Sequence, residues 1–201
     1  MAKKKSVKGG ATVLAALRKL MKDLDQKYSI RVGIIGSQAY EKSGHSDLTN
    51  AQLGAVHEFG ATINVTDKMR AWLHYHDIHL KPETTTITIP ARSFLRDTFL
   101  NDEAKERLAD FAMLGSDEFN EAFYKLKLAQ DPKFLEAVCK AIGLKALEMV
   151  NDSFNAGGYP TKWSPITEYT KKHRIGDPNN PPLDDTGALR DSISVDVHKV
   201  K

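Results

Sequence analysis

The sequence is poorest in cysteine: Cys139 stands alone among 201 residues. One thiol excludes an intramolecular disulfide, and with it the stapled framework that small secreted domains use. It equally excludes a four-cysteine zinc site. Aromatic residues make up 8% of the chain. No run approaches the roughly 20 consecutive apolar residues that a membrane span requires. The basic N-terminus is followed by an amphipathic, charged stretch rather than by the apolar core of a signal peptide. These absences lead to the expectation of a soluble protein with no membrane partner, made in a reducing cytoplasm.

What is present is ordinary for a globular chain. Hydrophobic residues are 41% and charged residues 27%, which excludes collagen-like, low-complexity and wholly disordered classes. A chain of this length buries roughly 70% of its unfolded surface as one domain, with or without an insertion. Net charge is +3, but it is unevenly spread. Residues 1–31 hold nine Lys/Arg against two Asp/Glu, whereas 101–121 hold seven acids against two bases. Such polarity suits a chain that meets copies of itself or other charged partners.

The patterning predicts an α+β fold: a small antiparallel sheet packed with several helices, plus a long proline/glycine-rich C-terminal arm. Residues 1–11, with Lys3, Lys4, Lys5 and Lys8, read as a flexible basic arm. Residues 12–154 read as the α+β domain, with a helical elaboration at about 101–135, and 155–201 as an extended arm and final strand of the same domain. Val13, Leu14, Leu17, Leu20, Met21 and Leu24 predict a helix from Thr12 to Lys27. Ile30 to Gly36 is β-rich and closed by glycine. Asn50 is read as the N-cap of a short helix through His57, and Thr66 as the cap of another carrying Met69, Trp72, Leu73 and His76. The alternation of Thr85, Ile87 and Ile89 predicts a half-buried strand ended by Pro90, paired with the Ile30–Ile35 strand. Leu108 and Phe111 mark one helical segment, and Phe119, Ala122, Phe123 and Leu126 the next. Asp131-Pro132 opens a helix with a stripe of Leu135, Val138, Cys139, Ile142, Ala146, Met149 and Val150. Residues 155–187 hold five of the eight prolines and four of the thirteen glycines, so they read as loop. Ser192 to Val197 alternates as a last strand.

Candidate chemistry is sparse. Asp185-Thr186-Gly187-Ala188 matches the local signature of retroviral-type aspartic proteases, in which two aspartates share a proton. That fold needs an apolar strand before the triplet and much β structure after it, and here a proline-rich loop precedes it. The triplet is read as a turn. His74, His76 and His79 raise the question of a metal. Helical neighbours two apart face away from each other, and no carboxylate at ligand spacing completes a set, so these are read as solvated histidines and no metal is assigned. His57-Glu58 lacks the second histidine of a zincin helix, and Gly33 to Gly36 lacks the Gly-Lys-Ser/Thr of a phosphate loop. There is no Gly-x-Ser-x-Gly. Cys139 falls on an apolar stripe and reads as a small core hydrophobe. No catalytic residue, metal or cofactor is expected. The lysine arm has the charge to neutralise DNA phosphates but lacks interleaved aromatics. Trp163, on a Gly/Pro-rich arm, reads either as an interface anchor or as a residue packing back on its own domain.

Several segments taken in order resemble the tail-completion, or virion-morphogenesis, proteins of tailed bacteriophages, especially the Mu-like head–tail joining kind. They are Val32-Gly33-Ile34-Ile35, Asn50 to Gly60, Ile63 to Arg70, Ile89 to Arg96, Trp163-Ser164-Pro165, and Leu183-Asp184-Asp185-Thr186-Gly187-Ala188-Leu189-Arg190-Asp191-Ser192-Ile193. The match runs from about residue 30 to residue 195 and is weakest over 101–135. The resemblance implies a non-enzymatic structural protein of the virion neck, forming a ring that completes the tail and helps attach it to the head connector. It implies six copies, with the tail terminator or tail tube and the head connector or adaptor proteins as partners. It places the chain in the virion, and in the host cytoplasm during assembly. Glu58-Phe59-Gly60 and Pro90 to Phe94 are expected mostly to shape the module. Trp163, Asp185, Gly187, Leu189 and Arg190 are the candidate interface, and Lys3, Lys4, Lys5 and Lys8 the residues that would lie near packaged DNA in the lumen. The alternatives are a tail terminator or connector adaptor and, from another class, a DNA-binding accessory protein using the basic arm.

Overall fold

The computed structural model describes Lys22 and residues 27–43, 47–114 and 132–200. The lysine arm, nearly all of the helix expected from Thr12 to Lys27, the Phe119–Leu126 segment and the Asp131 cap lie outside the described residues. In chain order the elements are β1 (Tyr28–Ile34), a 3-10 turn (Gly36–Tyr40), α1 (Asn50–Phe59), β2 (Ala61–Asn64), α2 (Asp67–Tyr75), β3 (Thr86–Ile89), α3 (Arg96–Leu100), α4 (Asp102–Leu114), α5 (Pro132–Ala156), α6 (Glu168–His173), α7 (Ala188–Asp191) and β4 (Ile193–Lys199). The class is α+β, with two small antiparallel sheets and seven helices among the described residues.

The sheets are β1–β4 and β2–β3. Ala61 pairs with Ile89 and Asn64 with Thr86. The expected pairing of the 83–90 strand with Ile30–Ile35 is therefore wrong. β3 returns to β2, its neighbour in the chain, and β1 takes the final strand. Local pairing closes a shorter loop and costs less chain entropy. The alternation in β3 is as expected at Thr86–Ile89, with Ile87 and Ile89 half-buried and Thr86 and Thr88 exposed.

The described residues divide into two units, one of 27–32, 105–114, 132–147 and 195–200, the other of 33–43, 47–104 and 148–194. In the first, Tyr28, Leu135 and Cys139 form a core against which Ile30 and Val197 pack. A Cβ on Gly143 would overlap Val195 and crowd Ile30, so the absence of a side chain lets strand and helix approach closely. Arg31 pairs with Asp196 across the strands at 2.6 Å, both exposed. The Lys145 ammonium lies 5.9 Å from the centre of the Phe111 ring.

In the second unit Phe94, Thr98, Met149, Val150, Ser153 and Phe154 are fully buried. The Phe94 and Phe154 rings are 5.3 Å apart. α1 packs on the 3-10 turn and on α7. At Gly54 a Cβ would strike Ile34 and touch Leu189 and Phe94. The α5 stripe is buried as its spacing predicts, at Leu135, Val138, Cys139, Ala146, Met149 and Val150, with Ile142 half-buried.

Two caps explain where the short helices begin. Asn50 is the first residue of α1, not its cap. Thr49 takes that role, its hydroxyl accepting from the Gln52 N–H while the Gln52 side chain accepts from the Thr49 N–H. This reciprocal pair is a capping box. Thr66 caps α2 as expected, accepting from Met69 N–H at 3.2 Å.

Candidate functional site

Helix α1 ends by placing Glu58 inside the second unit, only 6% exposed. Its carboxylate gathers four donors from the segment after β3. Oε1 accepts from Ser93 Oγ at 2.6 Å and from Arg96 N–H at 2.9 Å. Oε2 accepts from Phe94 N–H at 2.9 Å and Leu95 N–H at 3.1 Å. These backbone groups lead into α3, where N–H groups have no partner within the helix and the dipole favours negative charge. Glu58 thus acts as a cap supplied from a distant part of the chain. Ser93 Oγ in turn accepts from Asp97 N–H at 3.0 Å.

The chain reaches this clamp through a turn that only glycine fits well. Gly60 has φ +73, and a Cβ there would lie 2.9 Å from Ile89 O and 3.0 Å from Ala91 N. Beyond β3, Arg92 N–H donates to His57 O at 2.7 Å. The Arg92 side chain is buried and donates to Ser164 O at 2.9 Å and Pro165 O at 3.3 Å. Burial lowers the pKa of this guanidinium from its ordinary value.

The arm after α5 therefore packs onto its own unit along this stretch. Gly157 and Gly158 end α5, their N–H groups donating to Phe154 O and Ser153 O. Trp163 N–H then donates to Gly157 O. The Trp163 indole donates to Ser93 O at 3.1 Å and meets the Phe154 ring edge to face at 5.5 Å. Of the two readings of Trp163, packing within its own domain describes its surroundings.

The Asp185 turn is equally committed. Asp185 Oδ1 accepts from Ile175 N–H at 3.0 Å and Gly176 N–H at 2.7 Å. The Arg174 guanidinium, itself buried, lies 3.7 Å from the same oxygen. Gly187 adopts φ +78 at the start of α7, a left-handed conformation that glycine tolerates best. Leu189 is buried. Arg190 reaches Asp184 and Asn155, each at 3.3 Å. The Asp-Thr-Gly segment is a turn held by its own carboxylate, as its composition suggests. Lys3, Lys4, Lys5 and Lys8 lie outside the described residues.

Between α1 and this turn lies a cavity of about 270 Å³ lined by His57, Leu183, Asp185, Gly187 and Leu189 among others. His57 Nδ1 is buried with no hydrogen-bond partner among the described residues. Burial first, and the neighbouring Arg92 charge second, lower the His57 pKa from 6.5 to about 4. His57 is therefore held as a neutral imidazole. Cys139, in the first unit, is buried, and its thiol pKa is raised by desolvation and then by Glu136. That is the setting of an unreactive thiol.

Glu58-Phe59-Gly60 and Pro90 to Phe94, expected to shape the module, are joined directly to each other by the Glu58 carboxylate. Nothing local announces that a carboxylate will cap a helix 38 residues further along the chain. The only cue is a charged residue on the last turn of an otherwise mildly apolar helix. No protein-family model, curated protein or solved structure matches this chain.

Proposed function

We propose that this chain is a non-enzymatic structural component of a tailed-phage virion neck. In this reading it forms a closed ring, of six copies, that completes the tail and helps join it to the head connector. The observation that carries the reading is the way three separated segments of the resemblance interlock. Glu58, Arg92-Ser93-Phe94 and Trp163-Ser164-Pro165 are bound to one another by the carboxylate clamp, the Arg92 fork and the indole N–H. The motif residues thus stabilise a module rather than assemble reacting groups, which fits a structural role.

Surface composition supports the same reading. Phe59 is 68% exposed, Trp72 58% and Tyr75 83%. Trp72 and Tyr75 both contact the His76 ring, at 4.2 and 5.3 Å between centroids, so they form one aromatic patch at the end of α2. Exposed aromatics grouped in this way suit a surface that a partner covers. The basic 1–31 and acidic 101–121 segments would give a subunit opposite charges for a heterologous, closing contact. The +7 charge of residues 1–31 also favours a second reading, a DNA-binding accessory protein, which requires binding to free DNA with a steep salt dependence.

The test is electron microscopy of lysates from a phage in which this gene is interrupted. Filled heads lying apart from tails, rejoined when the purified protein is added, are the expected result. Joined, infectious particles in its absence would overturn the proposal.

A further inference from the structure

His74 and His79, expected as separate solvated side chains, come together. α2 ends at Tyr75, and Asp77, with φ +58, turns the chain back on itself. Ile78 N–H donates to Leu73 O at 2.9 Å. Arg70 then fastens the returning segment, donating to Lys81 O at 3.0 Å and Thr84 O at 2.6 Å. The result sets His79 beside His74, with their Nδ1 atoms 2.8 Å apart and the rings edge to face at 4.6 Å.

Two imidazole nitrogens cannot stand at that distance with both lone pairs bare, nor with both protonated. They must share one proton or one cation. We propose that His74 and His79 form a bidentate site for a borderline divalent transition-metal ion of the Zn²⁺, Ni²⁺ or Cu²⁺ class. Ligand nitrogens about 2.0–2.1 Å from such an ion, at angles of about 90–110°, are about 2.9–3.4 Å apart. Chelation therefore needs the nitrogens to part by a few tenths of an ångström and the exposed rings to turn until both lone pairs converge on the ion. Imidazole selects these ions over Mg²⁺ and Ca²⁺, which prefer oxygen. No group of three ligating side chains comes together among the described residues, so water completes the coordination and the site is exposed. In the neutral pair one ring donates its Nδ1 proton to the other. On chelation that ring carries its proton on Nε2 instead, and no net proton is released.

The experiment is a titration of the full chain with ZnCl₂, followed by side-chain ¹⁵N NMR of the histidines, with MgCl₂ in parallel. The expected result is that Zn²⁺ shifts the His74 and His79 Nδ1 signals together, while Mg²⁺ shifts neither. His74→Ala and His79→Ala each replace an exposed side chain, and each is expected to weaken Zn²⁺ binding roughly tenfold or more. Circular dichroism checks that both variants fold. Absence of any Zn²⁺-dependent shift, or Zn²⁺ binding unchanged in both folded variants, would overturn the proposal; the first result would leave a proton-sharing pair.

Discussion

Glu58 ties helix α1 to the segment that leads into α3. Its carboxylate is buried and receives one hydroxyl and three backbone donors. Removing it leaves those donors without water or partner, which is more costly than the loss of an average hydrogen bond. Glu58→Ala is expected to destabilise the fold by about 2–4 kcal/mol. Glu58→Gln should recover only part of this, because its amide presents one acceptor and one misplaced donor to the cluster. Urea unfolding measures both. His57, beside it, gives a pH signature. Its pKa falls from 6.5 to about 4 on folding, so between these values the unfolded chain binds a proton that the folded chain refuses. The stability held above pH 6.5 is therefore lost as pH falls toward 4, by at most about 3 kcal/mol. The difference in unfolding free energy between wild type and His57→Gln, followed from pH 7.5 to 4, is expected to shrink across this window. A constant difference would show that His57 is not held neutral.

The short elements of the second unit depend on their ends. α1 is ten residues long, too short to be stable alone, and its start rests on the Thr49 capping box. Thr49→Ala is expected to cost about 1 kcal/mol. Gly60→Ala should cost more, about 2 kcal/mol or above, because the positive φ and the contacts with Ile89 and Ala91 act together. Thermal melts of the two variants give this order, and a Gly60→Ala variant of wild-type stability would contradict it. At this scale much was readable from sequence. Thr66 with its periodic apolar residues announced α2, the stripe from Leu135 to Val150 announced α5, and the alternation at 193–197 announced β4. The partner of β3 was not readable, since the alternating Thr/Ile pattern fixes which face is buried but not which edge it joins. The Thr49–Gln52 box was present in the sequence but was displaced by one residue in favour of Asn50. The return of His79 to His74 depends on a single left-handed Asp77, which no periodicity records.

Across the whole molecule, most of the candidate interface residues are engaged by the chain's own packing. Trp163, Asp185, Gly187 and Leu189 are occupied within their own unit, by Ser93 and Phe154, by the 175–176 backbone, by the turn and by burial respectively. Trp72 and Tyr75 are exposed, and in the proposed reading they face a partner. The double variant Trp72→Ala/Tyr75→Ala is expected to keep its unfolding midpoint within about 0.5 kcal/mol of wild type, yet to fail in joining heads to tails when added to a lysate lacking the native protein. Full joining activity would move the interface elsewhere. The central claim, that this chain forms a ring at the head–tail junction, is met most directly by imaging wild-type virions at a resolution that traces side chains. Density for the Glu58 clamp and the α5 helix, repeated around the tail axis between the head connector and the tail tube, is the expected result. Particles that lack the chain altogether, or that carry it away from that junction, would contradict it.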